Sequence, residues 1–209
     1  MSKNPWVAVP LSDYEQHMRA EDVQQLDVLS DLFAEALARC QPSSVAVLGI
    51  AGGNGLGHID SAVTTRVVGL DLNPQYLEAT KERYSHLLNL ELHCADLSVQ
   101  AVYVEPVQLV HAALIFEHAG TDRCLENALA MVAPGGHLAV VLQLPSASAQ
   151  AVAPSQFSSM QTLKSRFTLI DPVLMCQRLA GFGFHLVHPI TRTLPAGKGF
   201  WMGIFRASS

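Results

Sequence analysis

The sequence predicts an α/β fold: a doubly wound parallel sheet of seven strands, the last of them antiparallel. Three observations carry that expectation. Short continuous apolar runs such as VAVLGI at 45–50 and RVVGLDL at 66–72 alternate with segments of helical period, the pattern of a parallel sheet covered on both faces. Asn-Pro, Asp-Pro and Pro-Gly pairs punctuate the boundaries. The two final runs, near 184–192 and 199–206, are separated by a few residues including Pro195 and Gly197, too few for a parallel crossover.

Taken in order, Ser12 to Glu15 has the S-x-x-E form of a capping box, which predicts a short helix with Tyr14, His17 and Met18 on one face. Residues 21–40 place Val23, Leu26, Leu29, Phe33, Leu37 and Cys40 at three- and four-residue steps, a helix with one apolar stripe. The first strand is expected over 45–50 and the second over 66–72, stopping at Asn73-Pro74, an N-cap followed by proline. A helix over 74–85 follows, then strands at 90–94 and 107–113. Leu125, Ala128, Leu129 and Val132 mark the next helix, which is expected to end at Pro134-Gly135-Gly136. A fifth strand spans 137–144, and Asp171-Pro172 opens the last helix, closed by Gly181 and Gly183. Pro145 to Arg166 fits no element and, following a strand at the ligand-bearing edge, is a candidate part of a substrate site.

The first strand runs into Gly49, Gly52, Gly53, Gly55 and Gly57, with Leu56 and Ile59 resuming at helical spacing. In an open parallel sheet, ligands bind beyond the carboxyl ends of the strands where strand order reverses, and side-chain-free residues there let a ligand lie against the backbone. The N–H groups of a following helix would then face the site. Asp71, eighteen residues after Gly53, ends the second strand, where a carboxylate can accept both hydroxyls of a ribose. A nucleoside-bearing ligand is the inference, and glycines needed only for tight packing are the plainer alternative. A dinucleotide fingerprint fails in both registers, because its third glycine falls on His58 or Asp60.

Over about 45–206 the chain resembles the class I S-adenosylmethionine-dependent methyltransferase family. The resemblance rests on VLGIAGGNG at 47–55, VVGLDLNP at 67–74, CADL at 94–97, and LVHAALIFEH at 109–118 followed by VAPGGHLAV at 132–140. It implies a Rossmann-like seven-stranded sheet and S-adenosyl-L-methionine as cofactor. It places Ala51, Gly52, Gly53, Asn54 and Gly55 against the methionine portion, Asp71 with Leu72 at the ribose, Asp96 at the adenine amino group with Leu97 beside the ring, and His111 near the sulfonium. Two departures stand out. Gly49 occupies the position of the family's acid and Ala51 that of its first motif glycine; the fourth strand's exit, His111-Ala112-Ala113, lacks the Asn-Pro-Pro-aromatic sequence of amide- and base-methylating members.

Methyl transfer from a sulfonium needs mainly positioning, with a base where the nucleophile must lose a proton. Glu117 and His118, just after the fourth strand, are the candidates for that task, and Tyr14 and His17 are candidate substrate contacts from the amino-terminal helix. At 209 residues, 49% apolar, the chain reads as one domain, with 1–40 capping the site and 41–209 forming the core. A net charge of −5 with no basic run argues against nucleic acid or an anionic membrane as partner, and no signal peptide or spanning segment is visible, so a cytoplasmic protein is expected. Cys40, Cys94, Cys124 and Cys176 lie far apart, which predicts buried thiols and no metal site. The leading expectation is a methyltransferase acting on a small molecule through an O, N or S atom. The alternatives are a non-catalytic nucleoside-binding or scaffold protein, suggested by Gly49, and a nucleotide-linked oxidoreductase, disfavoured by the glycine spacing.

Overall fold

The computed structural model of the protein describes residues 4–20, 23–146, 155–195 and 197–208. Strands β1 (Ser44–Leu48), β2 (Arg66–Asp71), β3 (Leu90–Cys94), β4 (Val107–Ala113), β5 (Val132–Leu144), β6 (Phe184–Thr193) and β7 (Gly199–Ala207) form one sheet in the order β3-β2-β1-β4-β5-β7-β6. The first five pair in parallel, and β7 runs antiparallel between β5 and β6. Strand order reverses between β1 and β4, so the carboxyl ends of these two strands flank the crevice.

The helices are α1 (Leu11–Arg19), α2 (Gln25–Cys40), α3 (Pro74–Arg83), α4 (Ile115–Ala119), α5 (Arg123–Ala130), α6 (Ser158–Gln161) and α7 (Pro172–Gly181). Alternation along β1 shows how they cover the sheet. Val45 and Val47 pack on one face with Leu29, Phe33 and Leu37 of α2, while Ala46 and Leu48 face Leu125 of α5 and Leu179 of α7. Two starts are as the sequence predicts: the Asn73 and Asp171 side chains accept the N–H of Gln75 and Val173, each with proline at the first helical position. No helix among the described residues is long and apolar enough to cross a membrane.

Several expectations need correction. The capping box does not form: α1 begins at Leu11 after Pro10, whose carbonyl accepts the Tyr14 N–H, and Ser12 lies inside the helix. β1 stops at Leu48, because Gly49 turns to φ +67°. No helix follows the glycines. Leu56 to His58 make one 3₁₀ turn, and the N–H groups of Leu56 and His58 bond back to Gly53 and Gly55 carbonyls, so this turn presents no free helix N-terminus to the crevice. Helix α5 ends at Ala130 rather than at Pro134-Gly135-Gly136, which instead forms a bulge inside β5: Val132 pairs with Val107, and the next pair is His137 with Leu109. Within 145–166, α6 and a 3₁₀ turn at Lys164–Arg166 form where an irregular segment was expected; residues 147–154 lie outside the described residues. Of the cysteines only Cys124 is buried, with its thiol pushed up to about 12 by burial, while Cys94 is exposed.

The central strand β4 carries a polar group into the core. His111 is 3% exposed, its ring lies 4.7 Å from that of Phe33, and its Nδ1 has no hydrogen-bond partner. Burial lowers its pKa to about 4. The unfolded chain, with a histidine near 6.5, therefore binds more protons between pH 6.5 and 4, and folding stability falls as pH falls through that window. His118, also lowered to about 4 by burial, adds to the loss, and Glu117, raised to about 7, opposes it. His111→Leu is expected to remove about 2 kcal/mol of the stability lost between pH 7 and pH 5, seen as a melting temperature flatter against pH than the wild type's. An unchanged slope would place the titration elsewhere.

Candidate active site

A cavity opens at the carboxyl ends of β1, β2, β3, β4 and β5, roofed by α1 and by the 3₁₀ turn at Pro5–Ala8. Of the residues singled out from the sequence, Ala51, Asp71, Leu72, Asp96 and Leu97 line it, as do Tyr14, His17 and His118. Gly52, Gly53, Asn54, Gly55, His111 and Glu117 do not.

The glycine turn explains that division. A Cβ at Gly53 would lie 2.5 Å from Tyr84 Cε2, and one at Gly55 would lie 2.9 Å from Phe33 Cδ1, so these glycines admit protein side chains. The Gly52 carbonyl accepts the Arg83 guanidinium at 2.7 Å, and the Asn54 amide donates to the Leu26 carbonyl at 2.9 Å. The turn is thus fastened from behind by α2 and α3. What it presents to the cavity is Gly49 and Ala51, both in the left-handed region at φ +67° and +48°. The family's acid position is occupied sterically: a Cβ on Gly49 would meet Ile115 Cδ1 at 2.9 Å. Ala51 is held in its costly conformation from both sides, its N–H donating to Asp71 Oδ2 at 2.9 Å and its carbonyl accepting the Thr80 hydroxyl at 2.7 Å.

Asp71 is 9% exposed, and its other oxygen accepts the Asn73 N–H at 2.9 Å. Burial raises its pKa, and these backbone donors offset part of the rise. Asn73 in turn donates its side-chain amide to the Trp6 and Val9 carbonyls, which anchors the amino-terminal segment over the cavity. At the end of β3, Asp96 Oδ1 accepts the Ser98 N–H and Oδ2 accepts the Asn4 side-chain amide at 2.9 Å. Partial burial pushes this carboxyl up, but the Ser98 and Asn4 bonds outweigh it and hold it below the usual aspartate value. Arg83 Nη1 closes the roof on the opposite side by also binding Glu15 at 2.7 Å.

His118 and Glu117 leave α4 in different directions. Glu117 is 1% exposed; its Oε1 accepts the Gln143 N–H at 2.9 Å, its Oε2 is unpartnered, and burial raises its pKa to about 7. It joins α4 to β5 instead of facing the cavity. His118 sits in the wall between Trp6 and Phe167, with ring centroids 5.0 and 5.1 Å away, and its Nδ1 is enclosed without a partner. Burial lowers its pKa to about 4, so the ring is neutral near pH 7. His111 packs under α2, away from the cavity.

Several lining residues carried no sequence signal. Asn4 and Trp6 lie in a segment without periodicity, and Tyr76, whose hydroxyl is buried without a partner, reads as an ordinary apolar-face residue of α3. Met160 and Leu163, by contrast, lie in the 145–166 stretch expected to contribute to a substrate site, and Phe167 follows it directly. Among the described residues no cluster of histidine, cysteine or carboxylate side chains could hold a metal ion.

Residues 45–136 match the family model of the methyltransferase domain. No curated protein matches the chain in sequence. Among solved structures, N-methyltransferase NodS from Bradyrhizobium japonicum WM9, in complex with S-adenosyl-L-homocysteine, is similar over 99% of this chain and 100% of its own, with a TM-score of 0.69 and 14% identity. Magnesium protoporphyrin IX methyltransferase ChlM from Synechocystis PCC 6803, with bound S-adenosylhomocysteine, aligns over 94% of each chain with a TM-score of 0.68 and 10% identity. The [4+2]-cyclase SpnF aligns over 91% of this chain and 83% of its own, with a TM-score of 0.66 and 14% identity. At such identities the likeness is one of fold, and the described residues share the Rossmann-like fold of these methyltransferases.

The left-handed turn after β1 gives a stability test. Ala51→Gly relieves the cost of a side chain at φ +48° and is expected to add about 1 kcal/mol, a rise of about 3 °C in melting temperature. Gly49→Ala, which creates the same cost beside Ile115, is expected to lose about 1 to 2 kcal/mol. Two variants shifting in the same direction would show that the turn is not held in this conformation in solution.

Proposed function

We propose that the protein is an S-adenosylmethionine-dependent methyltransferase acting on a small-molecule acceptor. The observation that carries this reading is the pair of carboxylates at the ends of adjacent strands, Asp71 on β2 and Asp96 after β3, both lining one cavity. The chemistry of the pair fits the cofactor. Asp96 Oδ2 already accepts an NH₂ group, that of Asn4, the same kind of donor as an adenine exocyclic amine. Tyr76 contributes a buried hydroxyl without a partner to the same wall. When bound, the cofactor supplies a methyl group on a positively charged sulfur, which leaves as a neutral thioether.

The chain's own residues then have three tasks. Asp71 and Asp96 hold the nucleoside, with Leu72 and Leu97 beside it; Trp6, Tyr14 and α1 exclude water from above; and the neutral His118 receives the proton of an O–H or N–H acceptor. Asp71 also holds the Ala51 turn, so its removal would disturb the fold as well as the ligand. Asp71→Asn, which keeps an acceptor, and Asp96→Ala are therefore the informative variants. Titration calorimetry with S-adenosylhomocysteine is expected to show saturable binding to the wild type. Loss of a charged hydrogen-bond acceptor in either variant should weaken it about ten- to a hundredfold. Absence of binding to the wild-type protein would overturn the reading, and binding without transfer to any acceptor would favour the non-catalytic alternative that Gly49 suggests.

His118→Phe preserves ring contacts with Trp6 and Phe167 while removing both nitrogens. For an acceptor that must lose a proton, turnover should drop about a hundredfold or more with unchanged S-adenosylhomocysteine affinity. A fully active variant would remove His118 from the reaction.

A further inference from the structure

Five rings form a continuous arc along the cavity wall. From the Asp71 side, Tyr76 lies 6.2 Å from Tyr14, Tyr14 lies 5.8 Å from Trp6, Trp6 lies 5.0 Å from His118, and His118 lies 5.1 Å from Phe167, measured between ring centroids. The two carboxylates sit at one end of the cavity, at β2 and β3, whereas Phe167 belongs to the segment that follows β5. The arc therefore runs from the Asp71 side past His118 of α4, just after β4, to Phe167. Around Phe167 the wall is mostly apolar, while the buried Lys198 and Gln143 also line the cavity. Met160 and Leu163 are 6% and 2% exposed and pack with Val9 against Trp6, and Phe167 completes the surface. None of Trp6, His118, Met160, Leu163 and Phe167 carries a fixed charge, and the enclosed Nδ1 of His118 is the unpartnered polar atom among them.

We infer that the methyl acceptor is a flat aromatic molecule without a cationic group, whose ring packs among Trp6, Phe167 and Leu163 and whose O–H or N–H nucleophile bonds to His118. This rests on the function proposed above and names its substrate class. Aromatic faces and edges offer such a ring favourable contacts at the 5 Å spacing seen here. A cationic aliphatic acceptor would lose its hydration among these side chains, none of which is a carboxylate that could balance its charge. The neutral state of His118 near pH 7 suits a hydrogen bond to an uncharged nucleophile.

The chain has two tryptophans, Trp6 and Trp201, so Trp201→Phe leaves Trp6 as the only tryptophan reporter in the full-length protein. With S-adenosylhomocysteine present, 1-naphthol is expected to quench Trp6 saturably, and 1-methoxynaphthalene, which has no O–H, to bind severalfold more weakly. His118→Phe should abolish the difference between the two probes. Phe167→Ala should weaken both about tenfold while calorimetry gives unchanged S-adenosylhomocysteine affinity. Glycine, sarcosine and ethanolamine should not bind. Saturable binding of these aliphatic probes, no binding of the naphthyl probes, or naphthyl binding indifferent to Phe167→Ala would each overturn the inference. Failure of S-adenosylhomocysteine itself to bind, read separately by calorimetry, would instead overturn the proposed function.

Discussion

The Asp71 carboxylate is the interaction on which the rest of the site depends. One of its oxygens binds the N–H of Ala51 and the other that of Asn73, so a single buried group joins the turn after β1 to the end of β2. Asn73 carries the connection further, capping α3 with its side-chain oxygen and holding the Trp6 and Val9 carbonyls with its amide. A buried carboxylate is costly unless its oxygens are satisfied, and here they are satisfied by the backbone that shapes the cavity. The same geometry lets one residue serve both fold and ligand. A carboxylate oxygen has lone pairs beyond the one given to an amide, so Asp71 can hold the turn and still accept a hydroxyl.

That constraint accounts for the two departures from the family's first motif. Since β1 ends at Leu48 and Gly49 turns to positive φ, the family's acid would have to displace Ile115. Ala51, standing where a glycine is usual, is kept left-handed by Asp71 and Thr80, whose hydrogen bonds offset part of the conformational cost. The helix that commonly follows such a turn is replaced by one 3₁₀ turn, and the tethering it would supply comes from Arg83 on Gly52 and from Asn54 on α2.

The strand runs at 90–94 and 107–113 and the caps at Asn73 and Asp171 were legible because they depend on local patterning: apolar residues at Leu90 and Leu92 and at Val107, Leu109 and Val110 in strand-length runs, and a side-chain acceptor placed before a proline. Asp71 was legible for a related reason, since the ends of buried strands fix where a ligand can lie, whereas Asp96 and Leu97 were expected only through the family resemblance of CADL at 94–97. The roles of Gly53 and Gly55 were not, because a glycine that admits Tyr84 or Phe33 has the same sequence appearance as one that admits a ligand. Glu117 and His118 are neighbours in sequence, yet a short helix sends one into the seam with β5 and the other into the cavity wall. Trp6 and Asn4 reach the site through the Asn73 and Asp96 side chains, contacts between distant parts of the chain that no local pattern encodes. The Pro-Gly-Gly stretch reads as a helix stop, but pairing of Val132 with Val107 overrides it.

The central claim is that the carboxylate pair at the ends of β2 and β3 receives the nucleoside of S-adenosylmethionine. A crystal structure of the protein with S-adenosylhomocysteine tests it most directly. The account predicts ribose hydroxyls within hydrogen-bond distance of Asp71, the adenine amine on Asp96 in the place taken here by the Asn4 amide, and the Ala51 N–H still bonded to Asp71. A nucleoside bound elsewhere, with Asn4 still on Asp96, would contradict it.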